Sequence, residues 1–188
     1  MNRNAFLKIR VLFTIVVTFL LTSLLVYQFV NEGIPSHHFL ANKELPLISN
    51  AWGGIVIPVF TWIMLWRIDI RIFKAADDIT FPTSVLMSFF GSLLFGVVLG
   101  VSINIGFKEV SSNTHWILFV AAMLFPTYRA EYFLGFVLGL TYWVGGVLPI
   151  IVGGVFLVIS LIIYKYLRGS ISWVWNRIKA EGVIRFLF

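Results

Sequence analysis

Apolar residues run along this chain in long blocks separated by short charged breaks. Residues 11–30, 51–66 and 82–107 are nearly free of charge, and 116–164 is apolar apart from Thr127, Tyr128, Arg129, Ala130, Glu131 and Tyr132. A helix rises about 1.5 Å per residue, so roughly 20 residues cross a hydrocarbon core about 30 Å thick. The first three blocks predict one helix each, the second short and the third long. The fourth holds roughly 50 residues, more than one crossing takes.

Lys and Arg in short loops concentrate on the cytoplasmic side of a membrane, and this decides how the fourth block divides. Three crossings, at 114–128, 130–146 and 147–167, put both termini on one side. That side then carries Arg3, Lys8, Arg10, Arg67, Arg71, Lys74, Arg129, Lys165, Arg168, Arg177, Lys179 and Arg185, leaving only Lys43 and Lys108 of the 14 basic residues outside. Two crossings would abolish the bias and bury Arg129. Aromatic residues favour both interfaces; with six spans Tyr27, Trp52, Trp116, Tyr142 and Trp143 fall outside, and Trp66, Tyr128, Tyr132, Tyr164, Tyr166 and Trp173 inside. The fourth span is short, with about 12 strongly apolar residues reaching roughly 18 Å.

The expected fold is therefore all-α: a polytopic transmembrane bundle of six spans over residues 1–168, both termini cytoplasmic, in a cell inner membrane. Residues 169–188 place Ile171, Val174, Trp175, Ile178, Gly182 and Phe186 at helical spacing among Asn176, Arg177, Lys179 and Arg185. They predict a basic amphipathic helix in the inner interface. The basic N-terminus and first apolar block resemble a signal peptide, but the block is long enough to span and ends in Val30-Asn31-Glu32, without a small-residue cleavage site, so a retained span is expected.

Composition narrows the function classes. The chain is 60% hydrophobic and 12% charged over 188 residues, against about 25% charged in soluble domains. It has no room beside the bundle for a soluble catalytic domain. The net charge of +6 sits beside apolar blocks and sets topology, so no nucleic-acid partner is expected. The absence of cysteine removes disulfides, thiolate nucleophiles and cysteine-ligated metal.

Small residues recur every four positions in the third block: Ser84, Ser88, Ser92, Gly96 and Gly100, then Asn104. In lipid, close approach over small residues supplies the contacts that hold helices together. Gly135 and Gly139 form a second such pair, and these seven small residues are expected to pack helix on helix. Arg129 and Glu131 sit beside Pro126, where short, broken helices could bind a solute or proton. With Asn104 they are the candidate substrate-binding residues. Alternatively they form a charged turn that holds topology, anchored by Tyr128 and Tyr132.

Other polar clusters read more simply. His37 and His38, with Glu32 and Glu44 nearby and His115 elsewhere, lack metal-ligand spacing and predict a solvated loop, so no metal is expected. Asp77 and Asp78 precede Phe81-Pro82 and suit a helix start. The run Arg67-Ile68-Asp69-Ile70-Arg71-Ile72 alternates like a strand, though an interfacial helix would use it equally. No nucleophile elbow, Walker loop, GxGxxG, zinc-protease or paired haem-ligand pattern occurs, and no cofactor is expected. The leading expectation is a small permease or transport component for an ion or small solute. A noncatalytic scaffold or accessory subunit is the alternative, and a membrane-embedded enzyme acting on a lipid-like substrate through His37, His38 or Asp77/Asp78 comes third. Partners would be the bilayer and either further copies or other membrane subunits.

Overall fold

The computed structural model describes residues 1–31, 33–34, 36–38, 47–74 and 81–164. Its α-helices are α1 (Arg3–Asn31), α2 (Gly53–Ile72), α3 (Thr83–Ile105), α4 (Lys108–Leu124), α5 (Ala130–Val144) and α6 (Leu148–Ile162). Between α1 and α2 in the chain, β1 (Ser36–His38) pairs antiparallel with β2 (Leu47–Ser49), matching Ser36 with Ser49 and His38 with Leu47. This ribbon of minimal strands is not foreshadowed by any alternating pattern. Asp77, Asp78, Glu32, Glu44 and the expected amphipathic tail lie outside the described residues.

α1 and α3, with 29 and 23 residues, are long and apolar enough to cross a membrane. They keep large apolar side chains on the outside, Phe19 and Leu20 on α1, Met87 and Leu94 on α3, where the core helix of a water-soluble fold would bury them. α5 and α6 are apolar but have 15 residues each, about 22 Å at the helical rise.

Local chemistry explains the breaks. α3 ends at Gly106, whose φ of 81° lies in the left-handed region. Its N–H donates to Ile103 O and the Phe107 N–H to Ser102 O, the paired bonds of a Schellman cap. α4 stops at Phe125, which is extended because the following Pro126 clashes with a helical predecessor. Gly145 closes α5 at φ 85°, and Pro149 lies in the first turn of α6, where a missing N–H costs nothing. Several boundaries differ from the apolar blocks. α1 begins at Arg3, eight residues before the first block, α2 continues beyond Trp66 through the alternating charged run, and α4 begins at Lys108 in a polar stretch. In all three places the helix runs past the end of its apolar surface. α4 also ends at Leu124, short of the expected 128.

α5 is the buried axis. Leu134 and Val137 on it are almost wholly inaccessible, and it packs against α2, α3 and α6. Its tightest partner is α3, which runs parallel to it. A Cβ on Gly96 would stand 2.6 Å from Phe136 O, one on Gly139 would overlap Leu93 O, and one on Gly135 would overlap Phe89 O and Ser92 Oγ. Gly100 receives the Trp143 indole. Ser92, Gly96 and Gly100 thus face Gly135 and Gly139, while Ser88 is half-buried and Ser84 is exposed at the start of α3. α1 packs antiparallel on α2 and meets α3 through an edge contact of Phe13 with Phe89 at 5.7 Å. Between α1 and α3 an apolar groove of about 600 Å³ is left, floored by Ile57, Leu138 and Thr141.

Candidate functional site

The polar chemistry gathers where the end of α2 meets the turn between α4 and α5. On a helical period Arg67, Ile70, Arg71 and Lys74 share one face, at i, i+3, i+4 and i+7. Lys74 lies two residues past the end of α2. Basic groups are favoured there by the negative pole of the helix. Opposite them stands the turn after Pro126. Thr127 Oγ1 donates to the buried Ser160 Oγ at 2.7 Å, and the Tyr128 ring lies 5.0 Å from that of Tyr164, so this turn is tied to α6. Arg129 is the extended N-cap of α5 and is exposed, and Glu131 lies in the first turn, at the positive pole of the helix.

Glu131 is 2% exposed and its Oε1 lies 2.7 Å from Arg71 Nη1. Its Oε2 is buried without a hydrogen-bond partner among the described residues. The carboxylate therefore pairs across helices with α2 and not with its sequence neighbour Arg129. Arg129 sits before the first helical residue and points away from the core, while Glu131 follows α5 into it. A cavity of about 380 Å³ lies against the pair, with Trp66, Arg67, Arg71 and Lys74 on one wall and Tyr128 and Arg129 on the other. Glu131 also borders a second, apolar cavity of about 310 Å³ lined by Phe6, Leu65, Ile68, Val85 and Leu134. The carboxylate forms part of the partition between a basic and an apolar space.

The neighbouring face of α2 carries a separate polar group. Asp69 turns toward α1, with Oδ1 3.3 Å from Arg3 Nε. Two helical turns deeper in the same pair, the Arg10 guanidinium stacks 3.6 Å over the Trp62 ring, a cation–π contact strengthened by burial. α2 thus sends Asp69 to α1 and Arg71 to α5 from positions two apart, which on a helix lie on opposite sides.

Of the candidate substrate residues, Arg129 and Glu131 both line the basic cavity. Asn104 does not join them. It is exposed on the last turn of α3, roughly 24 Å along the axis from the level of Glu131. β1 includes the backbone of His37 and His38, and no group of three or more potential metal ligands gathers among the described residues. Arg67, Arg71 and Lys74 escape a reading by sequence period because isoleucines alternate with charges there. Scored at helical spacing, the same run gives one basic face and one apolar face with Ile68 and Ile72. No protein-family model, curated protein or solved structure matches this chain.

Proposed function

We propose that this chain is a six-span inner-membrane protein with both termini cytoplasmic, and that it is a small permease or transport component for an ion or small solute. The pairing of the buried Glu131 carboxylate with the partly exposed Arg71 beside a basic cavity is the observation that carries the reading. An ionisable pair held between apolar helices is costly to keep, and the helix break at Pro126 puts the positive end of α5 at the same place. In transporters, solute sites are commonly built from short, interrupted helices whose N-terminal ends point at anionic groups. In this orientation the cavity faces the cytoplasm, where the basic loops lie. The 15-residue helices reach across by local thinning of the bilayer.

The cysteine-free chain makes the topology directly testable. An impermeant maleimide added to intact cells is expected to label Ser36→Cys, and to label Asn2→Cys only after lysis. The reverse pattern would remove the orientation. For the function, vesicles containing the purified protein, adsorbed on a solid-supported electrode, are expected to give a transient current with at least one member of a panel of ions and small solutes. Glu131→Gln should lose that current at unchanged membrane level. Silence across the panel would sink the transport reading.

A noncatalytic accessory subunit is the second reading, and the lateral groove between α1 and α3 favours it. Its apolar walls could receive a helix from another subunit. Electrical silence together with a stoichiometric copurifying membrane protein is the result that would move the conclusion there.

A further inference from the structure

We propose that the cavity between the end of α2 and the α4–α5 turn binds a phosphate-class oxyanion, with Glu131 as the internal rival for the Arg71 guanidinium. The assignment rests on the reading above, in which this cavity is where the solute sits, and it names that solute's chemistry.

Charge supplies the first step. Arg67, Arg71, Lys74 and Arg129 line the space, and Glu131 is the carboxylate among its lining residues. Like charges at i and i+4, as at Arg67 and Arg71, repel by a few tenths of a kcal/mol even on an isolated helix. A third cation follows on the same face and a fourth stands across the gap. A cationic solute is repelled by this arrangement, whereas a dianion offsets most of its excess. Geometry narrows the class further. A guanidinium presents a planar fork of donors matched to phosphate, and Glu131 Oε1 occupies one nitrogen of it. Ala130 and Glu131, the first two residues of α5, also line the cavity, and no side chain caps that helix. A helix start beside a basic cluster suits phosphate oxygens.

The rivalry follows from the state of the carboxylate. Glu131 is buried but only half satisfied, because Oε2 has no partner among the described residues. Arg71, by contrast, is 36% exposed and faces the cavity. Arg71 can turn to an incoming oxyanion without leaving its helix face, and Glu131 holds it when the cavity is empty. The volume, about 380 Å³, leaves room for more than a bare phosphate, with Trp66 and Ile70 offering apolar contact to the remainder. A free phosphate or phosphomonoester and the phosphate headgroup of a lipid share this chemistry.

The test uses the full chain in phosphatidylcholine nanodiscs, with inorganic phosphate titrated by calorimetry in one arm and phosphatidate retention read by native mass spectrometry in the other. Binding of phosphate without lipid retention assigns a soluble source; selective retention of phosphatidate assigns a headgroup. In whichever arm binds, Arg67→Gln/Lys74→Gln is expected to weaken binding about tenfold and Glu131→Gln to tighten it by a similar factor. Arg67 and Lys74 are exposed and outside the ion pair, so that double variant decides the site even where Glu131→Gln fails to accumulate. Binding in neither arm, or binding indifferent to Arg67→Gln/Lys74→Gln, overturns the site. Glu131→Gln binding no tighter than the native chain overturns the rivalry. Bound phosphate without any current would leave the site and remove transport, whereas currents driven by cations alone would do the opposite.

Discussion

Gly139→Leu is expected to prevent the protein from accumulating in folded form, or to lower its thermal midpoint in detergent sharply. The hydrogen it replaces faces the Leu93 carbonyl, and the Gly96 backbone lies within 3.1 Å of where a Cβ would stand. Overpacked cores ordinarily cost about 1 to 3 kcal/mol because neighbouring side chains can shift. Here the obstacle is the backbone of α3, so the helices must separate and lose dispersion contacts along their whole length. A cost above about 3 kcal/mol follows. Gly91→Leu is the control, since nothing lies within 4 Å of a Cβ there. Leucine is also the better helix former by up to about 1 kcal/mol. Unfolding midpoints of the two variants side by side give the answer. A Gly139→Leu protein as stable as Gly91→Leu would mean that α3 and α5 are not packed backbone to backbone.

The second large effect is expected at Arg71. Its replacement by alanine leaves the Glu131 carboxylate buried with neither oxygen paired among the described residues. Breaking a fully buried ion pair from one side costs about 3 to 5 kcal/mol. Arg71 is partly exposed and water screens part of that, so about 2 to 3 kcal/mol is expected. Glu131→Gln should cost less, because an amide can stay buried beside a guanidinium without a stranded charge. The informative quantity is the double variant Arg71→Ala/Glu131→Gln. It should be barely less stable than Glu131→Gln alone, which corresponds to a coupling of about 2 to 3 kcal/mol between the sites. Strict additivity in denaturant unfolding would show that the two side chains do not interact.

Much of the helical organisation was legible in the chain, for physical reasons that can be named. Apolar blocks bounded by charge located the helices, but the fourth crossing, expected over 114–128, stops at Leu124 because the residue before Pro126 leaves the helical region. The small residues at positions 96, 100, 135 and 139 were conspicuous by spacing alone. Which helix each would meet was not, since neither GxxxG-type stripe names its partner. The site was legible only in part. Glu131 stood out as a charge in an apolar block, but its partner Arg71 lies on a helix far away in sequence, inside a run whose alternation imitates a strand. Only the three-dimensional placement of α2 beside α5 brings them together. The β1–β2 ribbon offered no signal, being too short for a period to register. Asn104 shared the spacing of the small-residue stripe, yet a helix separates its two ends by its full length, and periodicity carries no information about which end a ligand uses.

The arrangement of helices also has a mechanical side. α1 rests chiefly on α2, and α3 on α5, so these four helices form two pairs that meet through Phe13 and Phe89 and along a seam between α2 and α5. At one end of that seam the Gly53 and Gly146 backbones touch directly; at the other, the tie is the Arg71–Glu131 side-chain pair. Backbone against backbone has almost no play, whereas a long arginine can follow its partner through several rotamers. The seam is therefore rigid at its glycine end and compliant at its charged end. Any load that spreads the pairs apart is taken up where the arginine is.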